Sequence, residues 1–275
     1  MKIAGIQFAC STDKKTNTEK ALEVLEIAAK EGAKIICFQE LFNQYWFPKD
    51  RNENAFNLAD TLKGDVVEAF REKAKKHNVI VILPIFERHR NRYFNSCAVI
   101  GNNGKVIGIY RKIHIPDIPL WEEKYYFSVG DKGIPVFTTD YGKIGIQISW
   151  DNLYPEATRV LAINGAEIVF SPTSCAFKSQ HLWQSVISGN AITNCVFIMR
   201  VNRAGSEELH DFYGMSFCVN PEGELIGGPT GRNDGILLAD IDFDYLKEIR
   251  REWPILKGRM PQFYKDLIKE NGHDR

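Results

Sequence analysis

The segment Glu31-Gly-Ala-Lys-Ile-Ile36 returns in the second half of the chain as Asn164-Gly-Ala-Glu-Ile-Val169. In both places a stretch with apolar residues at helical spacing ends at the Gly-Ala pair, and an apolar strand follows. The hairpin turn in Asn102-Asn-Gly-Lys-Val-Ile107 is repeated in Asn220-Pro-Glu-Gly-Glu-Leu-Ile226 with one residue inserted. The repetition predicts two similar halves, each a layer of sheet and helix, packed face to face.

Both halves show the same order of strands, amphipathic helices and a final hairpin. The first half is predicted to contain strands 2–8, 33–39 and 79–86, helices 17–31 and 65–77, and a hairpin at 94–111. The second half is predicted to contain strands near 135–148, 166–171 and 196–202, helices 155–164 and 179–194, and a hairpin at 214–227. No Ser/Gly/Pro-rich linker separates the halves, so we expect an α/β fold with one domain spanning 1–275.

Charge and hydropathy exclude several functional classes. The 275 residues include 35 basic and 35 acidic side chains, and this balance does not favour nucleic acid or an anionic membrane surface. No apolar segment is long enough to cross a bilayer. The segment Met1–Phe8 is typical of a buried strand rather than of a secretory signal, so we expect a cytoplasmic protein.

The six cysteines (Cys10, Cys37, Cys97, Cys175, Cys195 and Cys218) are scattered, mostly within apolar strand-like segments. None forms a Cys-x-x-Cys pair, and the histidines form no His-x-x-x-His pair. We therefore expect free thiols and no metal site.

Three segments carry residues suited to nucleophilic chemistry. Ser149 follows the apolar run Lys143-Ile-Gly-Ile-Gln-Ile148 and precedes a helix with Pro155 in its first turn, a position that exposes a nucleophile near backbone N–H groups. Glu40 ends a buried strand, and glutamate is rarely buried without a partner or a function. Lys112 follows another strand. Taken alone, its position fits a solvent-exposed lysine as well as a functional one.

Taken together, Phe38-Gln-Glu-Leu-Phe42, Tyr110-Arg-Lys-Ile-His-Ile-Pro-Asp117 and Ile148-Ser-Trp-Asp-Asn-Leu-Tyr-Pro-Glu156 resemble the three active-site blocks of the nitrilase superfamily of carbon–nitrogen hydrolases. The resemblance covers nearly the whole chain. It implies a four-layer αββα sandwich of two pseudo-repeated sheets. It also implies dimers or larger homo-oligomers, in which the C-terminal tail, about 245–275, often crosses to a partner subunit.

The family's triad is Glu–Lys–Cys, and it needs no cofactor. The resemblance makes Glu40 the general base and Lys112 the cation that stabilises the oxyanion, and it places Ser149 at the cysteine nucleophile. Glu123 resembles an additional glutamate that orients the lysine, although Glu122 is adjacent. The implied reaction attacks a small-molecule amide or ureido carbon, releases ammonia and hydrolyses a thioester.

Ser149 is the most important departure from the family pattern, which has cysteine at this position. A hydroxyl is far less acidic than a thiol, and a carboxylate is a weak base for it. We predict an inactive or severely impaired chain. One explanation is a replacement that traps substrate in an otherwise active hydrolase; the other is a sequence that lost its nucleophile and kept the fold for binding. The retention of Glu40, Lys112 and Glu123 favours the first.

The nucleophile block most resembles the N-carbamoylputrescine amidase and N-carbamoyl hydrolase branch, with an aliphatic or ω-amide amidase as the alternative. Leu153 departs from the tryptophan usual there, and Asn152 stands where glutamine is common. The Trp150 backbone N–H is expected to donate to the oxyanion, and Thr173 is expected at the same cleft. Tyr45 is expected in the pocket wall, or equally in an aromatic core or interface cluster.

Overall fold

The computed structural model describes residues 1–176 and 179–269. Its strands are β1 (Lys2–Gln7), β2 (Ile35–Phe38), β3 (Ile80–His89), β4 (Arg92–Ile100), β5 (Val106–Arg111), β6 (Phe137–Thr139), β7 (Gly142–Ile146), β8 (Ile168–Thr173), β9 (Phe197–Asn202), β10 (Ala204–Glu207), β11 (His210–Tyr213), β12 (Phe217–Val219), β13 (Leu225–Gly227) and β14 (Gly235–Asp240). Its α-helices are α1 (Lys14–Lys30), α2 (Asp65–His77), α3 (Glu123–Tyr126), α4 (Pro155–Ile163), α5 (Gln180–Asn194) and α6 (Phe243–Glu252).

The strands form two six-stranded sheets with the same plan, and β10 and β11 form a separate hairpin. The first sheet has the order β14-β1-β2-β3-β4-β5, and the second has the order β6-β7-β8-β9-β12-β13. In each sheet three central strands run parallel and their neighbours run antiparallel. The predicted α/β fold of two pseudo-repeated sheets is confirmed.

The central strands are apolar on both faces because both faces are covered. Ile35 and Cys37 of β2 point into the core between the sheets, whereas Ile36 and Phe38 pack beneath α1 and α2. In β8, Ile168 likewise faces the inter-sheet core and Val169 the helices α4 and α5. The layers are therefore helix, sheet, sheet and helix, the αββα order that was expected.

The first sheet is completed by a strand from the second half of the chain. β6, the first strand of the second half, pairs with β7 in the second sheet. β14 also belongs to the second half but pairs with β1 in the first sheet, from Lys2 opposite Asp240 to Gln7 opposite Gly235. Neither β14 nor the β10–β11 hairpin was predicted from the sequence.

Local signals account for the helix ends. α1 begins at Lys14, earlier than predicted, because the Asp13 side chain caps it by accepting from the Lys15 backbone N–H at 2.9 Å. α4 begins at Pro155, as predicted, where a missing N–H costs nothing.

All six cysteines are free thiols, with Cys10 half-buried and the others buried. Within residues 1–176 and 179–269, no helix combines the length and apolar character that a membrane span needs. Nor does that part of the chain bring three or more His, Cys, Asp or Glu side chains together as a metal site. The polar composition of residues 270–275 predicts disorder, and these residues lie outside the described part of the chain.

Candidate active site

The three candidate triad residues lie just beyond the ends of strands, whereas Glu123 is the first residue of the short helix α3. Glu40 follows β2, Lys112 follows β5, and Ser149 follows β7 as the first residue of a short 3-10 helix, Ser149–Leu153. Ser149 has a backbone φ of 46°, and Leu41, the residue after Glu40, has a φ of 49°. Left-handed backbone is strained in residues with a side chain and is concentrated at functional sites, so both turns are held by their surroundings.

Lys112 is shared between two carboxylates. Its Nζ lies 3.0 Å from Oε1 of Glu40 and 2.6 Å from Oε2 of Glu123, and all three side chains are buried. The Asn95 amide donates to the same Glu40 oxygen at 2.8 Å. Glu122, the neighbour considered alongside Glu123, instead pairs with Arg51 at 2.9 Å near the surface. Glu40, Lys112 and Glu123 therefore form one buried cluster.

The charges in this cluster shift one another's pKa values. Burial by itself lowers the pKa of Lys112, but the Glu123 and Glu40 carboxylates outweigh it and raise that pKa, so the lysine stays charged. Burial raises the pKa of Glu123 to about 7; the Lys112 charge opposes this rise, and the Glu40 charge adds to it. Near neutral pH the cluster therefore contains a fixed cation and one carboxyl group poised to exchange a proton.

The second oxygen of Glu40 is available for chemistry. Glu40 Oε2 is buried and has no hydrogen-bond partner among the described residues. An unpaired buried carboxylate oxygen costs free energy unless a ligand or a reacting group uses it. This is the atom expected to accept a proton from a nucleophile or water.

Ser149 and Glu123 line a common cavity of about 520 Å³. The rest of its described wall is mostly apolar and consists of Pro116, Ile118, Pro119, Trp121, Trp150, Leu153, Cys175, Ala176, Ser179, Leu182 and Trp183. A cavity of this size, with few polar groups at one end, suits a small organic molecule.

Asp151 ties the Ser149 turn to the loop after Lys112. Its Oδ2 accepts from the Tyr110 hydroxyl at 2.7 Å and from the Ile148 backbone N–H at 2.9 Å. Its Oδ1 accepts from the His114 backbone N–H at 3.0 Å and lies 2.8 Å from His114 Nδ1. One buried carboxylate thus fixes the backbone on both sides of the site.

Arg203, at the end of β9, braces the turn that carries Glu40. Its buried guanidinium donates to the backbone carbonyls of Glu40 at 3.0 Å, Leu41 at 2.9 Å and Gln44 at 2.8 Å. It also pairs with Glu207 at 2.7 Å. The carbonyls that leave the sheet at the strained turn are therefore satisfied by a side chain from the other half of the chain.

The residues predicted to bind substrate divide into two groups. Trp150 lines the cavity, whereas Tyr45 and Thr173 are not among its lining residues. Tyr45 packs against an aromatic cluster that contains Trp46 and Phe47, the core alternative that the sequence left open. Thr173 is fully buried, and its hydroxyl donates to the Ser171 carbonyl at 3.0 Å.

Sequence reasoning missed the structural roles of Asp151, Arg203 and Asn95, because each depends on partners distant in the chain. A signal existed for Arg203, since a charged residue directly after the buried strand β9, Phe197–Asn202, needs a buried partner. Cys175 follows β8, a position for which the sequence predicts a thiol in a pocket wall or in the core. It lines the cavity, with Sγ 3.9 Å from Ser149 Oγ.

Comparison with known proteins agrees with this geometry. Residues 2–251 match the family described as carbon-nitrogen hydrolase. The chain is 37% identical to an N-carbamoylputrescine amidase of Solanum lycopersicum, covering 98% of this chain and 95% of the relative. It is 36% identical to a citrullinase of Francisella tularensis, covering 98% and 99%.

A solved structure shares the fold as well. The carbon-nitrogen hydrolase from Helicobacter pylori G27 superposes with a TM-score of 0.93 at 33% identity, covering 98% of this chain and 99% of that one. The two-sheet fold, the family match over most of the chain and these relatives agree: the chain belongs to the carbon–nitrogen hydrolase family of the nitrilase superfamily.

Proposed function

We propose that this site is built to hydrolyse the C–N bond of a small N-carbamoyl (ureido) compound and to release ammonia. The observation that carries the proposal is the buried Lys112 ammonium, held by Glu40 and Glu123 beside the cavity that Ser149 lines. The names of the relatives, an N-carbamoylputrescine amidase and a citrullinase, favour a ureido group over a simple amide.

The proposed reaction assigns each group one task. The side chain at position 149 attacks the carbonyl carbon, and Glu40 Oε2 takes its proton. Lys112 and the Trp150 backbone N–H stabilise the negative charge that develops on the carbonyl oxygen. Glu40 then returns the proton to the departing nitrogen, and ammonia leaves an acylated side chain. A water molecule, deprotonated by Glu40, hydrolyses that intermediate.

Ser149 slows the first step of this reaction, the attack on the carbonyl carbon. A thiol titrates near pH 8.5 in model peptides, whereas a hydroxyl needs a much stronger base than a carboxylate. We expect the chain with Ser149 to be slower than the chain with cysteine there by at least about 100-fold, the lower range of general-base contributions.

The test compares ammonia release by the Ser149 chain and by Ser149→Cys. The panel contains N-carbamoyl amines, N-carbamoyl amino acids and short amides, and Ser149→Cys with Glu40→Gln is the matched control. Ammonia release that appears with cysteine and disappears with Glu40→Gln supports the proposal. If Ser149→Cys releases ammonia from none of these compounds, the hydrolase assignment fails; ligand binding that persists would then favour a non-catalytic binding protein of the same fold.

We further propose that the protein is a homodimer or a larger homo-oligomer whose interface includes the C-terminal tail. The tail exposes large apolar side chains, with Trp253 61%, Phe263 77% and Ile268 87% accessible. Such a concentration of exposed apolar area is typical of an interface. Light scattering should give at least twice the 31.4 kDa chain mass, and a monomeric mass would refute the interface. The cytoplasmic location stays a prediction.

A further inference from the structure

Arg200 is a buried cation without a carboxylate partner among the described residues. Its side chain, on β9, is fully buried, and its Nη2 donates to the Tyr213 hydroxyl at 2.8 Å. Nε and Nη1 have no hydrogen-bond partner in the described part of the chain. The other two fully buried arginines of the described residues differ, because Arg111 pairs with Glu87 at 2.6 Å and Arg203 pairs with Glu207 at 2.7 Å.

The environment of Arg200 compensates its charge only in part. Its guanidinium carbon lies 4.7 Å from the Trp183 ring centroid, 5.4 Å from that of Tyr213 and 5.9 Å from that of Phe217. Aromatic faces attract a cation, but more weakly than a carboxylate does. A buried guanidinium with two unpaired nitrogens therefore favours the arrival of an anion.

Arg200 lies directly behind one wall of the active-site cavity. Trp183, on which the guanidinium stacks, lines that cavity, and so does Cys175. Burial raises the pKa of the Cys175 thiol to about 11, and the Arg200 charge acts against this rise, as expected for a cation beside the thiol. Cys175 Sγ also lies 3.9 Å from the Ser149 hydroxyl, so this thiol is the part of the cavity wall that neighbours both Ser149 and Arg200.

The charge of the cavity is asymmetric. Among its described lining residues the only charged one is Glu123, and that carboxyl group is paired with Lys112. No described carboxylate is therefore placed in the wall to receive a substrate ammonium group, while an unpaired guanidinium lies behind Cys175 and Trp183. Within a poorly solvated cavity such an imbalance acts strongly on a charged ligand.

We infer that the cavity takes ureido compounds that carry a carboxylate at the far end, and that Arg200 is the residue that selects them over ureido amines. The inference rests on the proposed function, whose substrate class it narrows. The carboxylate approaches the guanidinium past the small Cys175 side chain, while the ureido group lies at Lys112 and Glu40.

Binding to the Ser149 chain tests this inference without requiring turnover. Titration calorimetry would compare three ligands of similar length: 4-ureidobutyrate as the anion, N-carbamoylputrescine as the cation and butylurea as the neutral reference. We expect the anion to bind at least about ten-fold more tightly than the neutral compound, and the cation to bind most weakly. Arg200→Met, which keeps an apolar stem under the rings, should abolish the preference for the anion.

Arg88→Met is the matched control, because it removes an exposed positive charge on the β3–β4 hairpin and should preserve the preference. If Arg200→Met does not fold, Cys175→Leu gives a second test, since it keeps the cation and fills the approach to it. Cys175→Leu should also lose the preference.

The inference is overturned if the parent chain binds the cation or the neutral compound as tightly as the anion, or if Arg200→Met keeps the preference. Ammonia release by Ser149→Cys from butylurea or N-carbamoylputrescine but not from 4-ureidobutyrate would also overturn it, while leaving the hydrolase assignment intact. Binding selective for the anion, with no ammonia released from any compound, would instead refute the hydrolase assignment alone.

Discussion

Asp151→Asn should destabilise the protein more than its small chemical change suggests. Each Asp151 oxygen accepts from one backbone N–H: Oδ2 from Ile148 at 2.9 Å and Oδ1 from His114 at 3.0 Å. Whichever way the asparagine amide is turned, its NH2 group faces one of these N–H groups. The Tyr110 hydroxyl or the His114 ring can turn to accept from the amide, but a backbone N–H cannot.

The expected cost is about 2–4 kcal/mol of unfolding free energy. One buried N–H without an acceptor accounts for about 1–3 kcal/mol, and loss of the charge from the remaining hydrogen bonds adds to it. Tyr110→Phe is the comparator. It removes one donor and leaves Oδ2 bonded to the Ile148 N–H, so we expect a cost of about 1 kcal/mol.

Urea unfolding of the parent and both variants, analysed by linear extrapolation with a common slope, measures these costs. If Asp151→Asn loses less than about 1 kcal/mol, or no more than Tyr110→Phe, then Asp151 does not hold the two loops as described.

Three further perturbations test the site. Glu123→Gln should remove a pH dependence of the unfolding free energy. Burial raises the pKa of Glu123 from 4.5 to about 7, so the contribution of this side chain to stability is full below pH 4.5 and is lost as the pH rises through 7. Relative to Glu123→Gln, the parent should lose roughly 3 kcal/mol between about pH 4 and pH 8, and a constant difference in urea unfolding would contradict this. Gly130→Ala should lower the melting temperature strongly, because a Cβ at this position would collide with the backbone carbonyl oxygen of Arg111 and lie 3.0 Å from that of Lys112. Gly189→Ala is the control: a Cβ there has no neighbouring atom within 4 Å, so the melting temperature should not fall. Arg203→Lys should cost about 3 kcal/mol in urea unfolding, because an ammonium cannot reproduce the guanidinium's several directed bonds, and a cost below about 1 kcal/mol would show that water satisfies the freed carbonyls.

The repeated sequence predicted the two-sheet plan because its signals are local. Gly-Ala helix ends, apolar strands and turn residues act within a few positions, so the order of most elements follows from them. β14 was missed because its sequence, Gly-Ile-Leu-Leu-Ala-Asp, has little alternation, and its pairing with β1 joins residues at opposite ends of the chain.

The residues of the site likewise divide into those that local sequence signals predict and those that they do not. Glu40, Lys112 and Ser149 stand out in the sequence because polar residues end apolar strands within recognisable blocks. The partners that hold them do not: Arg203 reaches Glu40 across 163 positions, and Asn95 reaches it across 55. Such pairings arise from the packing of the two halves, which no local pattern encodes.

The pairing of β14 with β1 delays the completion of the first sheet during synthesis. All six strands of the second sheet have been synthesised once β13 has left the ribosome. β1 is synthesised first, but one of its edges stays unpaired until residues 235–240, which form β14, have been synthesised. The Glu40 turn likewise waits for Arg203. We therefore expect the amino-terminal half to stay incomplete through most of translation, and a nascent chain stalled before β14 to be the species that depends most on a chaperone.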